Sequence, residues 1–547
     1  MANPIRLRRG TNIGAVDAES DSLYLENCFV DTGDVDALLD CQDPRCLILG
    51  RTGVGKTALI RRILKVAPHA KELSPESLAL NYLANSNIIN FFEAAGVGLD
   101  IFYTLLWRHI ITVELLKLKF GIQDQQRQVN FFEYAKTKLA RNRAKERALQ
   151  YLRQWGDHFW EETEYRTKEF TEKLETDLKG SVKVEVGHIA ALGAEGARRL
   201  SAEQKVEVHQ RGMQVVNGVQ VKELHDIIEF LGDDIFTDSN DTFFVVIDRL
   251  DEDWVDDRIR FKLIKALIEA VRTFRHVVNV KIIVAMRTDL HYRVIRETTR
   301  AGFQEEKYRS HYLMVRWTRE QLVKLLDVRV AFMFKRQYTL DDVRLGDILP
   351  RNQLEQRNPE VYIIDRTFFR PREAIIFLNE CLARSENQTR ISVRVLRQAE
   401  VTYSNERLIS LADEWRREYP GLSEAITFLN RRENPFRIEN ISPDDCQKLA
   451  EHILANCRIA DDPIFQLCEE FYTSGGKKPG ELLEGIIGIF YHVGLVGIKP
   501  DPQMGRQWSF VDAPMLTKGQ LKPQSTIDVH KTFWAALGTE VRSRGGR

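Results

Sequence analysis

Apolar residues fall into two rhythms along the chain. Short apolar runs, each closed by a glycine or a polar residue, stand at 46–49 (CLIL), 243–247 (FFVVI) and 280–286 (VKIIVAM, broken only by Lys281). Runs of this length without alternation are what a strand buried on both faces of a parallel sheet requires. Elsewhere apolar residues return every three or four positions, as in ALIRRILKVA (58–67) and FYTLLWRHIITVELLKL (102–118), the second apolar enough to be buried. The segment 310–334 reads as a strand followed by an amphipathic helix. Strands alternating with helices predict an α/β fold: a parallel sheet with crossover helices.

Composition narrows the picture. The chain has 547 residues, with 43% apolar, 29% charged, and 79 Lys+Arg against 79 Asp+Glu. That is a globular chain of several units, not a disordered, collagen-like or disulfide-built one, and it lacks the basic excess of a protein that coats nucleic acid. Seven scattered cysteines without a CxxC suit a reducing, cytoplasmic setting. MANPIRLRRGTN at the start has no apolar segment behind its basic residues, so no secretory signal is read. The apolar stretch Gly485–Ile498 is shorter than the ~20 residues a membrane helix needs and contains His492, so it is expected in a core rather than a membrane.

The strongest chemical signal follows the first apolar run. GRTGVGKTA places Gly50, Arg51, Thr52, Gly53, Val54, Gly55, Lys56, Thr57 and Ala58 between a strand and a helix. Glycines at 50, 53 and 55 let the backbone turn tightly and aim N–H groups at phosphate oxygens, and the helix start faces the same anion. In such a P-loop Lys56 reaches the β- and γ-phosphates and the Thr57 hydroxyl ligates Mg²⁺. The partner element is TFFVVIDRLDE (242–252): Asp248 ends a buried strand and is expected to be the carboxylate associated with Mg²⁺. For the base, Asp251 is favoured, with Glu252 as the alternative. Arg287, with Thr288 beside it, ends the third run where a residue sensing the γ-phosphate belongs.

Together these residues resemble the STAND and KAP-like branch of P-loop NTPases, relatives of the AAA+ ATPases. The likeness rests on GRTGVGKT, VVIDRLDE, IIVAMRTDL, VRWTREQLVKLLDVRV and FFRPREAIIFLNECL (368–382). Arg249 and Glu252 depart from the KAP pattern hhhhDDLDR, Arg249 also stands where many AAA+ ATPases have a second acid, and the membrane helices of many KAP members are missing. The resemblance implies ATP and Mg²⁺ as ligands, ATP hydrolysis, and a biological setting in phage defence. It also implies that Arg370 or Arg372, with Arg366 a further candidate, reports the γ-phosphate to a helical lid. Pro371 suits the first turn of that helix, with Ile375, Ile376, Leu378 and Leu382 as its apolar face. The competing reading of these arginines is a basic helix start packed against acidic neighbours.

Between the two motifs lies a charged helical stretch. Seven Lys/Arg fall in 136–153 and eight acids in 157–177, which reads as a solvated arm available for partner or subunit contact. The Gly/Ala-rich 179–210 reads as a small hairpin or a mobile loop. Near the C-terminus 410–429 reads as helical, and Ser442-Pro443-Asp444-Asp445 has the chemistry of a helix start. Residues 477–511 read as helix, strand, turn and a second strand holding Trp508, the pattern of a winged helix. Its helix is too apolar to read bases readily, which favours packing or protein binding.

The expected organisation is an N-terminal segment (1–30), a P-loop core in two parts (31–82 and 221–318) around a helical insertion (83–220), a helical lid (319–410), and a C-terminal helical and winged-helix-like domain (411–547). The expected function is an ATP-binding and hydrolysing switch that controls self-assembly, giving a homo-oligomer, or a separately encoded effector. The alternatives are an Orc-like DNA-binding ATPase and a nucleotide-binding scaffold without turnover.

Overall fold

The computed structural model describes residues 6–541 other than 79, 81–85, 97, 239, 299–304, 339–342, 458, 512–515, 517–518 and most of 122–193 and 204–220. Nearly all of the charge blocks at 136–177 and most of 179–210 lie outside the described residues; within the latter, Ala194–Arg199 is helical. The chain divides into two compact units, residues 31–316 and residues 1–30 with 317–547.

Unit 31–316 is built on a five-stranded sheet of β1 (Leu47–Gly50), β2 (His69–Leu73), β3 (Phe243–Ile247), β4 (Val280–Arg287) and β5 (Tyr312–Met314), ordered β2-β3-β4-β1-β5 with every pairing parallel. β1 and β3 are buried throughout and β4 up to Arg287, which explains their apolar runs; Lys281, the polar residue within β4, donates to the Ala37 and Asp40 carbonyls. β2 sits at an edge and is half-exposed; its His69 stacks on Phe243 at 4.6 Å and pairs with Asp241 at 2.8 Å. Among the described helices of this unit are α1 (Lys56–Val66), α2 (Asp100–Phe120), α3 (Asp257–Thr273) and α4 (Thr288–Thr298). α2 is buried along most of its length and packs on α3, where the Trp107 indole N–H donates to the Leu263 carbonyl at 2.9 Å.

The sheet's hydrogen-bond register decides what meets at its carboxyl edge. Glu72 pairs with Val246, Ile247 with Val284, Ile48 with Ala285 and Gly50 with Arg287. Registered residues of a parallel sheet share a face, as do residues two apart along a strand. Continuing the register past Ile247 puts Glu72, Asp248, Arg287 and the end of β1 on one face. The ladder does continue, since the Asp248 N–H donates to the Leu73 carbonyl at 3.3 Å.

The other unit is mainly helical up to residue 429. It contains α5 (Arg319–Tyr338), α6 (Pro371–Ala383) and α7 (Val393–Glu414), which share a core with Leu7, Ile13, Tyr24 and Cys28. The early segment is held by a buried ion pair, Arg329 Nη2 to Asp21 Oδ2 at 2.5 Å, and by Arg329 Nη1 donating to the Ile13 carbonyl at 2.9 Å. α6 begins at Pro371 as expected, with Ile375, Leu378 and Leu382 buried.

The helical reading of 410–429 is corrected in part: α7 ends at Glu414, and after a turn Leu422–Ile426 is a separate short helix. Beyond it come β6 (Glu433–Asn434), β7 (Phe436–Arg437), α8 (Pro443–Asn456), α9 (Pro463–Thr473), α10 (Pro479–Val493), β8 (Val496–Lys499), β9 (Thr526–Val529) and β10 (Glu540–Val541). Ser442 caps α8, its Oγ accepting from the Asp445 N–H at 3.1 Å while the Asp445 carboxylate accepts from the Ser442 N–H at 3.2 Å.

β7, β9 and β8 form an antiparallel sheet in that order. The second long strand is therefore Thr526–Val529, not the segment around Trp508. Gln507 makes only an isolated bridge to Ile498, and the Trp508 ring packs over Gly497, where a Cβ would come within 2.7 Å of it. The apolar stretch 485–498 forms the core-facing part of α10 and most of β8. No described helix is long and apolar enough to cross a membrane. All seven cysteines are free thiols.

Candidate phosphate-binding site

β1 delivers the chain to Gly50, and the loop 51–55 turns it into α1. Gly53 and Gly55 have φ of 78° and 103°, the left-handed region that costs other residues about 1–2 kcal/mol. Gly50 is needed for space: a Cβ there would lie 2.6 Å from Val54 Cγ1, and Val54 is buried inside the loop's own turn. Gly55 caps α1 and its carbonyl accepts from the Leu59 N–H at 3.0 Å. The N–H groups of Lys56, Thr57 and Ala58 thus precede the first intrahelical bond and sit at the positive end of the helix dipole. Thr52 Oγ1 is buried and meets no hydrogen-bond partner among the described residues. Unspent donors, an orphaned hydroxyl and glycine-lined backbone suit a polyphosphate.

The Lys56 ammonium lies across this loop, donating to the carbonyls of Gly50 at 3.0 Å and Arg51 at 3.3 Å. Burial lowers its pKa, against the pull of Asp251 and Asp248. Asp248 emerges at the end of β3 with its carboxyl buried. Burial pushes its pKa up to about 6, opposed by the Arg249 N–H and Lys56 and reinforced by the negative charges of Asp251 and Glu72.

The next residue explains how the following acids are placed. Arg249 has φ of 63°, a left-handed conformation in a non-glycine residue. The turn it makes, closed by the Glu252 N–H on the Arg249 carbonyl at 3.3 Å, sends Leu250 into the core. It brings Asp251 back within 3.9 Å of the Arg287 guanidinium and leaves Glu252 beside Arg249 at 4.0 Å. Arg287 is held in a fork by Asp289, with Nε to Oδ1 at 3.0 Å and Nη2 to Oδ2 at 2.8 Å.

Lys56, Asp248, Asp251 and Arg287 therefore converge, while Glu252 lies beside Arg249. Thr57 occupies the second position of α1, and Thr288 opens α4 immediately after Arg287. Two carboxylates of this neighbourhood escaped the sequence reading, Asp289 and Glu72. Asp289 follows Arg287 by two residues and its spacing could have suggested the fork. Glu72 lies on a polar edge strand that no apolar run announces.

The arginines of the second unit have carboxylate neighbours within that unit. Arg366 is 1% exposed, bonded to Glu400 at 2.5 Å and Glu355 at 2.8 Å, and stacked over the Tyr362 ring. Arg370 is buried with Glu414 at 3.4 Å and Glu373 at 3.6 Å. The Arg372 Nε–H donates to the Val16 carbonyl at 3.3 Å, and burial, then Arg407 and Arg370, lower its pKa.

A Mg²⁺ at the first unit would be held by Thr57 and Asp248. The residues fit it: a buried carboxyl that resists ionising by itself is relieved by a hard cation, and Mg²⁺ takes its remaining ligands from water and phosphate oxygens. Among the described residues no group of three or more His, Cys, Asp or Glu is assembled as an all-protein metal cage, and this mode of binding requires none.

Residues 320–412, which span α5 to most of α7, match a family described as the FunZ-associated C-terminal helical domain. No curated protein matches the chain. Among solved structures, a Walker-type ATPase of Pyrococcus abyssi is similar over 98% of both chains, at 13% identity and a TM-score of 0.35. Likeness this distant transfers no activity.

Proposed function

We propose that residues 31–316 bind Mg·ATP at the loop 50–58 and hydrolyse it, and that the protein works as a nucleotide-controlled switch. The observation carrying this reading is the convergence of Lys56, Asp248, Asp251 and Arg287 at the carboxyl edge of the sheet, beside the start of α1. Ligands of open α/β sheets bind at that edge where strand order reverses, and β1 lies between β4 and β5 at such a reversal.

In the bound state the N–H groups at the start of α1 and the Thr52 hydroxyl bond phosphate oxygens. Lys56 leaves its two carbonyls for the β- and γ-phosphates. Thr57 and Asp248 would hold Mg²⁺, which would supply positive charge beside the phosphate oxygens. Arg287 stands ready to bond the γ-phosphate, but only by loosening its hold on Asp251 and Asp289, so the triphosphate and these acids compete for one guanidinium. Loss of the γ-phosphate then returns Arg287 to its acids and changes the order of the loop 249–252 and of the first turn of α4, a local event of the kind that drives switching. Assembly of the chain with itself or with an effector is the proposed output. Phage defence is the setting that the resemblance to STAND and KAP-like ATPases suggests.

Direct DNA reading by α10 is disfavoured by charge. Its exposed residues include Glu481 and Glu484, which repel phosphate, while Leu482, Leu483, Ile486 and Ile487 are buried. The test of the main reading is calorimetry of the full chain with Mg·ATP, followed by phosphate release. Wild type should bind and turn over, and Lys56→Ala should bind far more weakly and release no phosphate while keeping its circular dichroism. Absence of binding by wild type refutes the proposal.

A further inference from the structure

The loop after β3 is poorly equipped to supply a base. The position directly after Asp248 is Arg249, locked in a left-handed turn. Asp251 faces two cations, Lys56 and Arg287, so its charge is already engaged. Glu252 sits beside Arg249.

Glu72, by contrast, is exposed and has no hydrogen-bond or ion-pair partner among the described residues; its neighbour Lys71 is bonded to the buried Glu114 instead. The β2–β3 register puts Glu72 on the same sheet face as Asp248 and diagonal to it. With strands about 4.8 Å apart and a rise of about 3.3 Å per residue, two residues along and one strand across separate their Cα atoms by about 8 Å. Two extended carboxylate side chains leave room for a water between them across that gap.

We infer that Glu72, reaching in from β2, is the catalytic residue that orients and deprotonates the water attacking the γ-phosphate. The inference rests on the proposed ATPase reading and adds the proton acceptor to it. The water oxygen forms a bond to the γ-phosphorus, the bond from that phosphorus to the β–γ bridging oxygen breaks, and the water's proton passes to a Glu72 carboxylate oxygen. ADP and inorganic phosphate leave, and Glu72 returns the proton to solvent. Asp251 keeps a positioning role, holding Arg287 in place until the triphosphate takes it over.

The test compares full-length wild type, Glu72→Gln and Asp251→Asn. Glu72→Gln should bind Mg·ATP within about threefold of wild type and lower kcat by about 100-fold or more with KM little changed, the size expected for loss of a general base. After incubation with Mg·ATP and gel filtration, the nucleotide carried by Glu72→Gln should be ATP, whereas wild type carries ADP. Asp251→Asn should alter KM as well as kcat and should trap no ATP. The inference is overturned if Glu72→Gln turns over normally, if its activity falls only in step with ATP affinity, or if wild type binds ATP and releases no phosphate. Failure of wild type to bind ATP overturns the ATPase reading itself, and this inference with it.

Discussion

Replacing Asp248 with Asn should stabilise the metal-free protein while disabling the proposed site. In the fold the Asp248 carboxyl has its pKa raised from 3.8 to about 6, chiefly by burial. At pH 7.5 the native state must hold a charge it would rather shed. Two pKa units at roughly 1.4 kcal/mol each make that cost about 3 kcal/mol. The sign follows from proton counts: between pH 4 and 6 the native state binds more protons than the unfolded one, so this group's contribution to stability falls as pH rises through that window.

Asn keeps an oxygen for the Arg249 N–H and never ionises, so Asp248→Asn should melt higher at pH 7.5 in the absence of Mg²⁺, by an upper limit of about 3 kcal/mol. Near pH 4 the two proteins should melt together. Calorimetric melting at pH 4, 5, 6 and 7.5 in EDTA is the assay. A destabilised Asn variant at pH 7.5, or a difference that does not change with pH, would refute the reasoning.

Other substitutions probe the remaining features. Lys56→Ala should weaken Mg·ATP binding by about 100-fold, corresponding to roughly 3 kcal/mol for a charge-assisted contact, with an unchanged melting transition; titration calorimetry measures it. Arg249→Asn should be neutral because Asn tolerates the left-handed region, whereas the β-branched Arg249→Val should cost about 1–2 kcal/mol in urea unfolding. Arg329→Ala, which leaves Asp21 buried and unpaired, should cost about 3–5 kcal/mol in urea unfolding, and Arg329→Met with Asp21→Ala should recover part of that loss.

Much of the sheet was readable because β1, β3 and β4 are buried on both faces, and burial of that kind writes itself as continuous Val, Ile, Leu and Phe. The loop 50–58 was readable because its glycines answer to backbone geometry that no other residue meets cheaply. β2 was not readable: as an edge strand it carries His69, Lys71 and Glu72, whose fit depends on Phe243, Glu114 and the register with β3, all distant in sequence. The split between Asp251 and Glu252 was hidden for another reason. It turns on the sign of one backbone angle at Arg249, and arginine gives no hint of a left-handed turn. Trp508 misled because an aromatic among alternating residues suits a strand, yet the strand laddered to β8 comes from Thr526–Val529, well beyond it in sequence.

The division of the chain into residues 31–316 and residues 1–30 with 317–547 has a practical side. The middle portion is a guest inside a host whose two parts are far apart in the gene. Trimming the opening 30 residues, a common first move when a leading segment seems dispensable, would remove Asp21, Tyr24 and Cys28 from beneath α5 and so wound the carboxyl-terminal half. Excising 31–316 at its two seams would be the gentler surgery.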